Sequence, residues 1–253
     1  MALRSSDLDD ILPLSWSEFL DWVRQHWEQG EHWAILGGTG SGKTTFACHL
    51  LRSRRYVLAI DWKGGDKTLS SLGWDRITKL DHNHRGRPRL PQAQRDKLRK
   101  GEPVRLLVGS TRRDRASRSH RRILIGELME LVNVQGNWTV FAPDLKTLSD
   151  ARYGGLADDL VEMLMLARDG GVSVITDWQR PSGVPREAGD QTTYLATAYT
   201  RDLDNVARLA EMMGRHRVIV RGSMKRLGDR PYTWLVVSRD PSQPLIVTAT
   251  ERL

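Results

Sequence analysis

One cysteine, three phenylalanines, no long apolar run and no acid directly after Asp144 mark what this chain does without. A lone Cys48 excludes a disulfide framework and a cysteine-built zinc site. Within its apolar surroundings it reads as a small core residue. No stretch approaches the ~20 apolar residues that span a bilayer as a helix. The first residues lack the charged-then-apolar pattern of a signal peptide. The expectation is a soluble, cytoplasmic chain. No internal repeat is visible.

What the chain has in excess is positive charge. Thirty-nine Lys and Arg face 31 Asp and Glu, a formal net charge of +8 over 253 residues. Such a balance favours polyanionic partners, nucleic acid or an anionic membrane surface, over an uncharged ligand alone. Hydrophobic content of 39% suffices for a real core.

The most specific pattern is Gly37-Gly38-Thr39-Gly40-Ser41-Gly42-Lys43-Thr44-Thr45. It fits G-x-x-x-x-G-K-[ST], the phosphate-binding loop of nucleoside triphosphatases. The apolar run Trp33–Leu36 before it reads as a strand, and Thr45–Leu51 after it as a helix. Glycines permit a tight turn whose amides converge on phosphate oxygens. Residues Gly38 to Thr45 are therefore the expected cradle for ATP or GTP. Lys43 reaches the β- and γ-phosphates, and the Thr44 hydroxyl ligates Mg²⁺.

Elsewhere strands alternate with helices. Residues 5–30 read as a helical segment, with Ser15 and Glu18 in a capping-box spacing. Tyr56–Ile60, Val104–Val108, Trp138–Ala142, Val172–Thr176 and Thr193–Tyr199 read as strands, and 117–134, 155–168 and 202–213 as helices. Continuous apolar strands suit a parallel sheet covered on both faces. Val218–Thr250 alternates between turn signals and reads as antiparallel strands. The expected organisation is a helical segment, 1–30, and one ATPase domain, 31–253, with a basic insertion at about 74–122. Within that insertion Arg112, Arg113, Arg115 and Arg118 are candidate contacts to DNA phosphates, against the alternative of a solvated basic loop.

Phosphoryl transfer relies on positioning and electrostatics, with a carboxylate for Mg²⁺ and a group that orients the attacking water. Asp144, following the strand 138–142, is the Walker B candidate, which makes Thr44 and Asp144 the expected metal residues. Leu145 stands where an acidic neighbour is usual, so the base is unassigned. Asp61 and Asp177 also end apolar strands. They belong on the carboxyl edge of the sheet, where nucleotides lie, and either can act on the water or serve as a turn or cap aspartate. Gln179, just past a strand, can sense the γ-phosphate through an amide that donates and accepts. Arg168, Arg180 and Arg201 are candidates for an arginine acting in trans on a neighbouring subunit.

Three stretches together resemble one family: the phosphate loop, Leu58-Ala59-Ile60-Asp61-Trp62-Lys63-Gly64-Gly65-Asp66, and Ala167-Arg168-Asp169-Gly170-Gly171-Val172 leading to Trp178-Gln179-Arg180-Pro181-Ser182. This resembles the FtsK/HerA superfamily of DNA-translocating ATPases, over most of residues 31–214. In that family Asp-x-Lys-Gly follows the second core strand, and Thr-Gln-Arg-Pro ends the last. The resemblance implies an α/β, RecA-like core with a mostly parallel sheet, and ATP with Mg²⁺. It also implies a homo-oligomeric ring, hexamer or pentamer, threaded by double-stranded DNA. Position by position it implies Lys43 and Thr44 on phosphate and Mg²⁺, Asp144 as Walker B, Gln179 as γ-phosphate sensor and Arg168 as the trans arginine. The chain departs from the family at Leu145, where glutamate is normal, and at Trp178, where a small residue is common. Asp61 or another carboxylate is the expected substitute base.

Small stand-alone members of that superfamily include viral genome-packaging ATPases, the preferred role, with a portal or capsid partner in a host cytoplasm. Transfer of plasmid or mobile-element DNA, with a relaxase-type partner, is the near alternative. A slow nucleotide-dependent switch or assembly factor is a different class, and Leu145 favours it. A small-molecule kinase is disfavoured by the lack of an evident lid or acceptor pattern and by the basic charge.

Overall fold

The computed structural model describes residues 11–109, 115–184 and 186–251. In chain order the elements begin with β1 (Ile11–Pro13), α1 (Trp16–His26), β2 (Trp33–Leu36), α2 (Lys43–Arg52), β3 (Tyr56–Ile60) and α3 (Lys67–Ser70). There follow β4 (Asp75–Ile77), β5 (Asp81–His82), β6 (Pro88–Arg89), α4 (Gln92–Arg99), β7 (Val104–Val108) and α5 (Arg115–Gln135). Next come β8 (Thr139–Ala142), α6 (Leu145–Ser149), α7 (Ala157–Leu166), β9 (Ser173–Trp178) and α8 (Arg186–Gln191). The chain closes with β10 (Tyr194–Thr197), α9 (Leu203–Met212), α10 (Arg217–Leu227), β11 (Thr233–Ser238) and β12 (Leu245–Ala249). The fold is α/β, with mostly parallel strand pairing and an antiparallel C-terminal pair.

The described residues fall into two compact units. The first draws on residues up to Glu28, His32–Ala47 and Asp177–Leu253. Its strand order is β1-β12-β11-β10-β2. β10 runs parallel to β2, so Thr197 lies opposite Leu36, and β10, β11 and β12 form an antiparallel meander. An aromatic cluster fills this unit. Phe19, Trp33 and Trp234 are fully buried, and the Phe46 and Trp234 rings lie 5.0 Å apart. The helix α1 supplies part of it because Trp16, Phe19 and Val23 recur on one face. The capping box forms: the Ser15 amide donates to Glu18 Oε2 at 2.8 Å and the Glu18 amide to Ser15 Oγ at 3.4 Å.

The second unit comprises Gln29–Glu31 and Cys48–Thr176. Its strands run β9-β8-β3-β7-β4, all parallel. β8 and β3 are buried almost throughout, as continuous apolar strands in a covered parallel sheet should be. The helices α5 and α7 pack on one another, as do α6 and α7.

Two sequence expectations need correction. The helical reading of 5–30 holds only for α1, while residues 11–13 pair in parallel with Leu245–Val247 as an edge strand. Pro13 there lacks the amide a helix interior needs and is tolerated on a sheet edge. Residues 1–10 lie outside the described residues. In the C-terminal tail, 217–227 is a helix rather than a strand. Alternation and turn signals suggest strands there, but Val220, Met224 and Leu227 recur at i, i+4 and i+7 and are buried. His216 caps the start, its side chain accepting from the Val218 amide, and Gly228 at φ 66° ends it.

Candidate nucleotide-binding site

The phosphate loop leaves the carboxyl end of β2 within the first unit. The Gly37 amide donates to the Trp178 carbonyl at 3.1 Å, which fixes the loop beside Gln179. The Ser41 amide closes a turn onto the Gly38 carbonyl at 3.2 Å, and the Phe46 amide starts the helical ladder of α2 on the Gly42 carbonyl at 2.9 Å. Lys43 Nζ folds across the loop, donating to the Gly37 and Gly38 carbonyls at 2.9 and 3.2 Å. The first turn of α2 carries no acidic residue of its own at the positive end of the helix dipole. The Ser41 hydroxyl oxygen is buried with no hydrogen-bond partner among the described residues. A helix N-terminus, an ammonium and an unused hydroxyl fit a polyphosphate.

A cavity of about 520 Å³ adjoins the loop. Gly37 and Gly38 form one wall, Gln179, Arg180 and Pro181 a second, and Thr197 to Asp202 a third. These walls converge because β2 and β10 end in register and the Ala198 amide donates to the Leu36 carbonyl at 2.8 Å. Gln179 and Arg180 are exposed there. Arg201 pairs with Asp229 at 3.1 Å, both side chains largely in solvent. Asp177 lies inside β9 and is 5% exposed. One contact had no signal in the sequence: the Tyr232 ring lies against Gly42, and Tyr232 itself sits at φ 60°.

The second unit holds the other expected residues. Asp144 follows β8 in the left-handed region, φ 49° and ψ 55°, a conformation Asp tolerates better than most residues. Its Oδ2 accepts from Lys63 Nζ at 2.9 Å. Burial pushes its carboxyl upward, but hydrogen bonds from Lys63 and Thr147 and the Lys63 charge prevail and hold it below the ordinary Asp value. Leu145 is 3% exposed, so the position where an acid is usual faces the core. Asp61 is 2% exposed. Its Oδ1 accepts from the amides of Gly64, Gly65 and Asp66 at 2.9, 3.3 and 3.4 Å, and Arg76 faces its Oδ2 at 3.7 Å. Arg168 is exposed just past α7, its carbonyl accepting from the Gly171 amide at 3.0 Å.

Among the described residues no His, Cys, Asp and Glu cluster could hold a metal by itself, and no helix is long and apolar enough to cross a membrane. No protein-family model matches the chain, and no curated protein sequence matches it. Solved structures do. A genome packaging NTPase, B204 of Sulfolobus turreted icosahedral virus 2, solved with sulfate, has a TM-score of 0.57 at 13% identity, covering 88% of this chain and 97% of that one. VirB4 of Thermoanaerobacter pseudethanolicus has a TM-score of 0.57 at 13% identity, covering 88% and 89%. The cytoplasmic domain of the type VII secretion ATPase EccC of Thermomonospora curvata has a TM-score of 0.55 at 15% identity, covering 89% of this chain and 26% of that one. The chain shares the fold of these ATPases.

Within that fold, Gly37, Gly38 and Gln179 share one cavity in the first unit, while Asp61 and Asp144 belong to the second. Lys63 carried no role in the sequence reading. Its place in Asp61-Trp62-Lys63-Gly64 was visible, but its pairing with Asp144, 81 positions away, is a tertiary fact. Of the candidate DNA contacts, Arg112 and Arg113 lie outside the described residues, as does the side chain of Arg115. Arg118 is half-buried on α5. Arg121, in the same basic run, is structural: it is 4% exposed, donates to the Trp62 carbonyl at 2.7 Å and stacks on the Trp62 ring at 5.0 Å.

Proposed function

We propose that this chain is an ATPase that moves double-stranded DNA as a homo-oligomeric ring, with packaging of a viral genome as its role. The observation that carries the reading is the cavity bringing the phosphate loop at Gly37 and Gly38 to Gln179. A γ-phosphate held by that loop is where a Gln amide can register its presence. The near-complete coverage of the packaging NTPase B204, solved also with AMP, AMPPCP and ATP-gammaS, supports packaging over the longer secretion ATPase.

On this reading Gly38–Thr45 bind ATP and Lys43 neutralises the β- and γ-phosphates. The Thr44 hydroxyl ligates Mg²⁺ and Asp144 is its Walker B carboxylate. Gln179 senses the γ-phosphate and Arg168 acts in trans. Mg²⁺ supplies charge neutralisation on the phosphates. Asp61 is reassigned: a buried carboxylate oxygen accepting from three amides positions the Asp-x-Lys-Gly loop rather than activating water.

The test is ATPase rate with and without long duplex DNA at low salt, with Lys43→Ala as control. DNA should stimulate the parent several-fold, and the variant should be inactive in both conditions. An active parent that DNA leaves unchanged overturns the motor. One observation favours a second reading, the slow nucleotide switch: Leu145 is core, so the usual glutamate is replaced by a residue that cannot act on water. Unstimulated turnover with nucleotide-dependent oligomerisation would select it.

A further inference from the structure

The insertion between β4 and α4 carries a small β-hairpin that the nucleotide site does not use. The strands β5 and β6 pair antiparallel, Asp81 with Arg89 and His82 with Pro88. The turn between them is built by one side chain: Asn83 Oδ1 accepts from the amides of Arg85 and Arg87 at 2.8 and 3.0 Å. The Asn83 amide donates to the Arg87 carbonyl, and the Gly86 amide to the Asn83 carbonyl, both at 2.9 Å. Gly86 at φ 73° allows the reversal.

Both feet of the hairpin are clamped by a single guanidinium. Arg95 of α4 donates to Asp81 Oδ2 at 3.1 Å and to the Leu90 carbonyl at 2.7 Å. Leu80 and Leu90, flanking the hairpin, are buried. The α5 helix packs against β6, and the ring of His120 is hydrogen-bonded to the Thr78 carbonyl at 3.1 Å. This is a stiff mount for an exposed tip.

The charge on that tip is segregated. From residue 82 to 95 the chain contains no acid, and His82, His84, Arg85, Arg87 and Arg89 are all exposed. The nearby carboxylates are taken by other cations: Asp81 by Arg95, Asp75 by Lys97, Asp96 by Arg99 and Asp61 by Arg76. Arg85, Arg87 and Arg89 form no ion pair among the described residues. Three like-charged side chains within five residues of a braced loop repel one another. That cost is recovered when they meet a polyanion.

We propose that the β5–β6 hairpin is a contact to the phosphate backbone of double-stranded DNA, made by Arg85, Arg87 and Arg89. This rests on the reading of the chain as a DNA motor. Guanidiniums suit phosphate oxygens, and phosphate contacts carry no sequence preference, as a motor requires.

The experiment compares duplex-DNA binding by the full chain and by the Arg85→Gln/Arg87→Gln/Arg89→Gln variant, using fluorescence anisotropy across a salt series. The melting temperature checks the fold. Each lost contact should reduce the slope of log K against log salt by about 1, and three by about 3, with affinity falling on the order of tenfold per contact near 0.1 M salt. The all-lysine variant Arg85→Lys/Arg87→Lys/Arg89→Lys should keep most of the slope. A parent that binds DNA with a slope the Gln variant leaves unchanged overturns the hairpin contact alone. A parent that binds no duplex DNA at low salt overturns the contact and the motor reading together.

Discussion

Lys63 Nζ donates to Asp144 Oδ2 at 2.9 Å, joining the Asp-x-Lys-Gly loop to the end of β8. The pair keeps Asp144 ionised further into acid than an ordinary aspartate, against a burial effect that acts the other way. A depressed carboxyl contributes stability above its ordinary value, and that contribution is lost as pH falls through the folded value. Lys63→Met should therefore move the acid limb of the ATPase pH profile upward. The Lys63 side chain is 70% exposed, so the change in unfolding free energy should stay below about 1 kcal/mol. Asp144→Asn tests the charge itself, because Asn also tolerates the left-handed backbone. Mg²⁺-dependent turnover should drop by roughly a hundredfold, the scale of one preorganised electrostatic contact. Retained turnover with an unaltered Mg²⁺ requirement would remove Asp144 from the metal site.

Asp61 separates two roles by two substitutions. Asn keeps a side-chain oxygen for the amides of Gly64, Gly65 and Asp66, whereas Ala strands them. Asp61→Ala should lower the free energy of unfolding by about 1–3 kcal/mol, the cost of leaving buried donors unmet. Asp61→Asn should fold and keep most of its turnover. Denaturant melts and steady-state ATPase rates read both. A folded Asp61→Asn protein without activity would restore Asp61 as the water-activating base.

Much of this architecture was legible in the residues. The capping box at Ser15 and Glu18, the apolar runs of β2, β3, β7 and β8, and the loop from Gly37 to Thr45 are local patterns that the fold repeats. The helix α10 was not legible, because three consecutive β-branched or aliphatic residues mask a period set by Val220, Met224 and Leu227. The hairpin β5–β6 hides for a related reason: its strands are two residues each, and its turn depends on Asn83 rather than on an apolar alternation. Contacts far apart in sequence, such as Lys63 with Asp144 and Tyr232 with Gly42, leave no periodic trace at all.

Cys48 is fully buried, and burial, with a smaller contribution from Asp66, raises its thiol from 9.0 to about 12. Only a thiolate reacts readily. The native chain should resist maleimide labelling at pH 7–8, and stoichiometric labelling should appear only in denaturant. The raised thiol also sets a sign. Its contribution to stability is complete below the ordinary value of 9.0 and is lost as pH rises toward about 12. Melting curves above pH 9 should fall more steeply for the parent than for Cys48→Ala. Rapid labelling of folded protein would contradict the burial.

Gly42 meets two constraints at once. Its φ of 96° is one that side chains rarely adopt, and a Cβ there would come within 2.5 Å of Tyr232 Cδ1. Gly42→Ala should therefore cost about 1–2 kcal/mol from the backbone alone. The collision with the ring adds to that and shifts the loop amides that face phosphate. Binding of a fluorescent ATP analogue should weaken by at least roughly tenfold, the equivalent of about 1.4 kcal/mol. In Gly42→Ala/Tyr232→Ala the ring is gone and the backbone cost is not. The double variant should regain part of the affinity lost by Gly42→Ala and should fall short of Tyr232→Ala alone. An affinity for Gly42→Ala equal to the parent's would mean that the loop reshapes freely, and that the Tyr232 ring does not brace it.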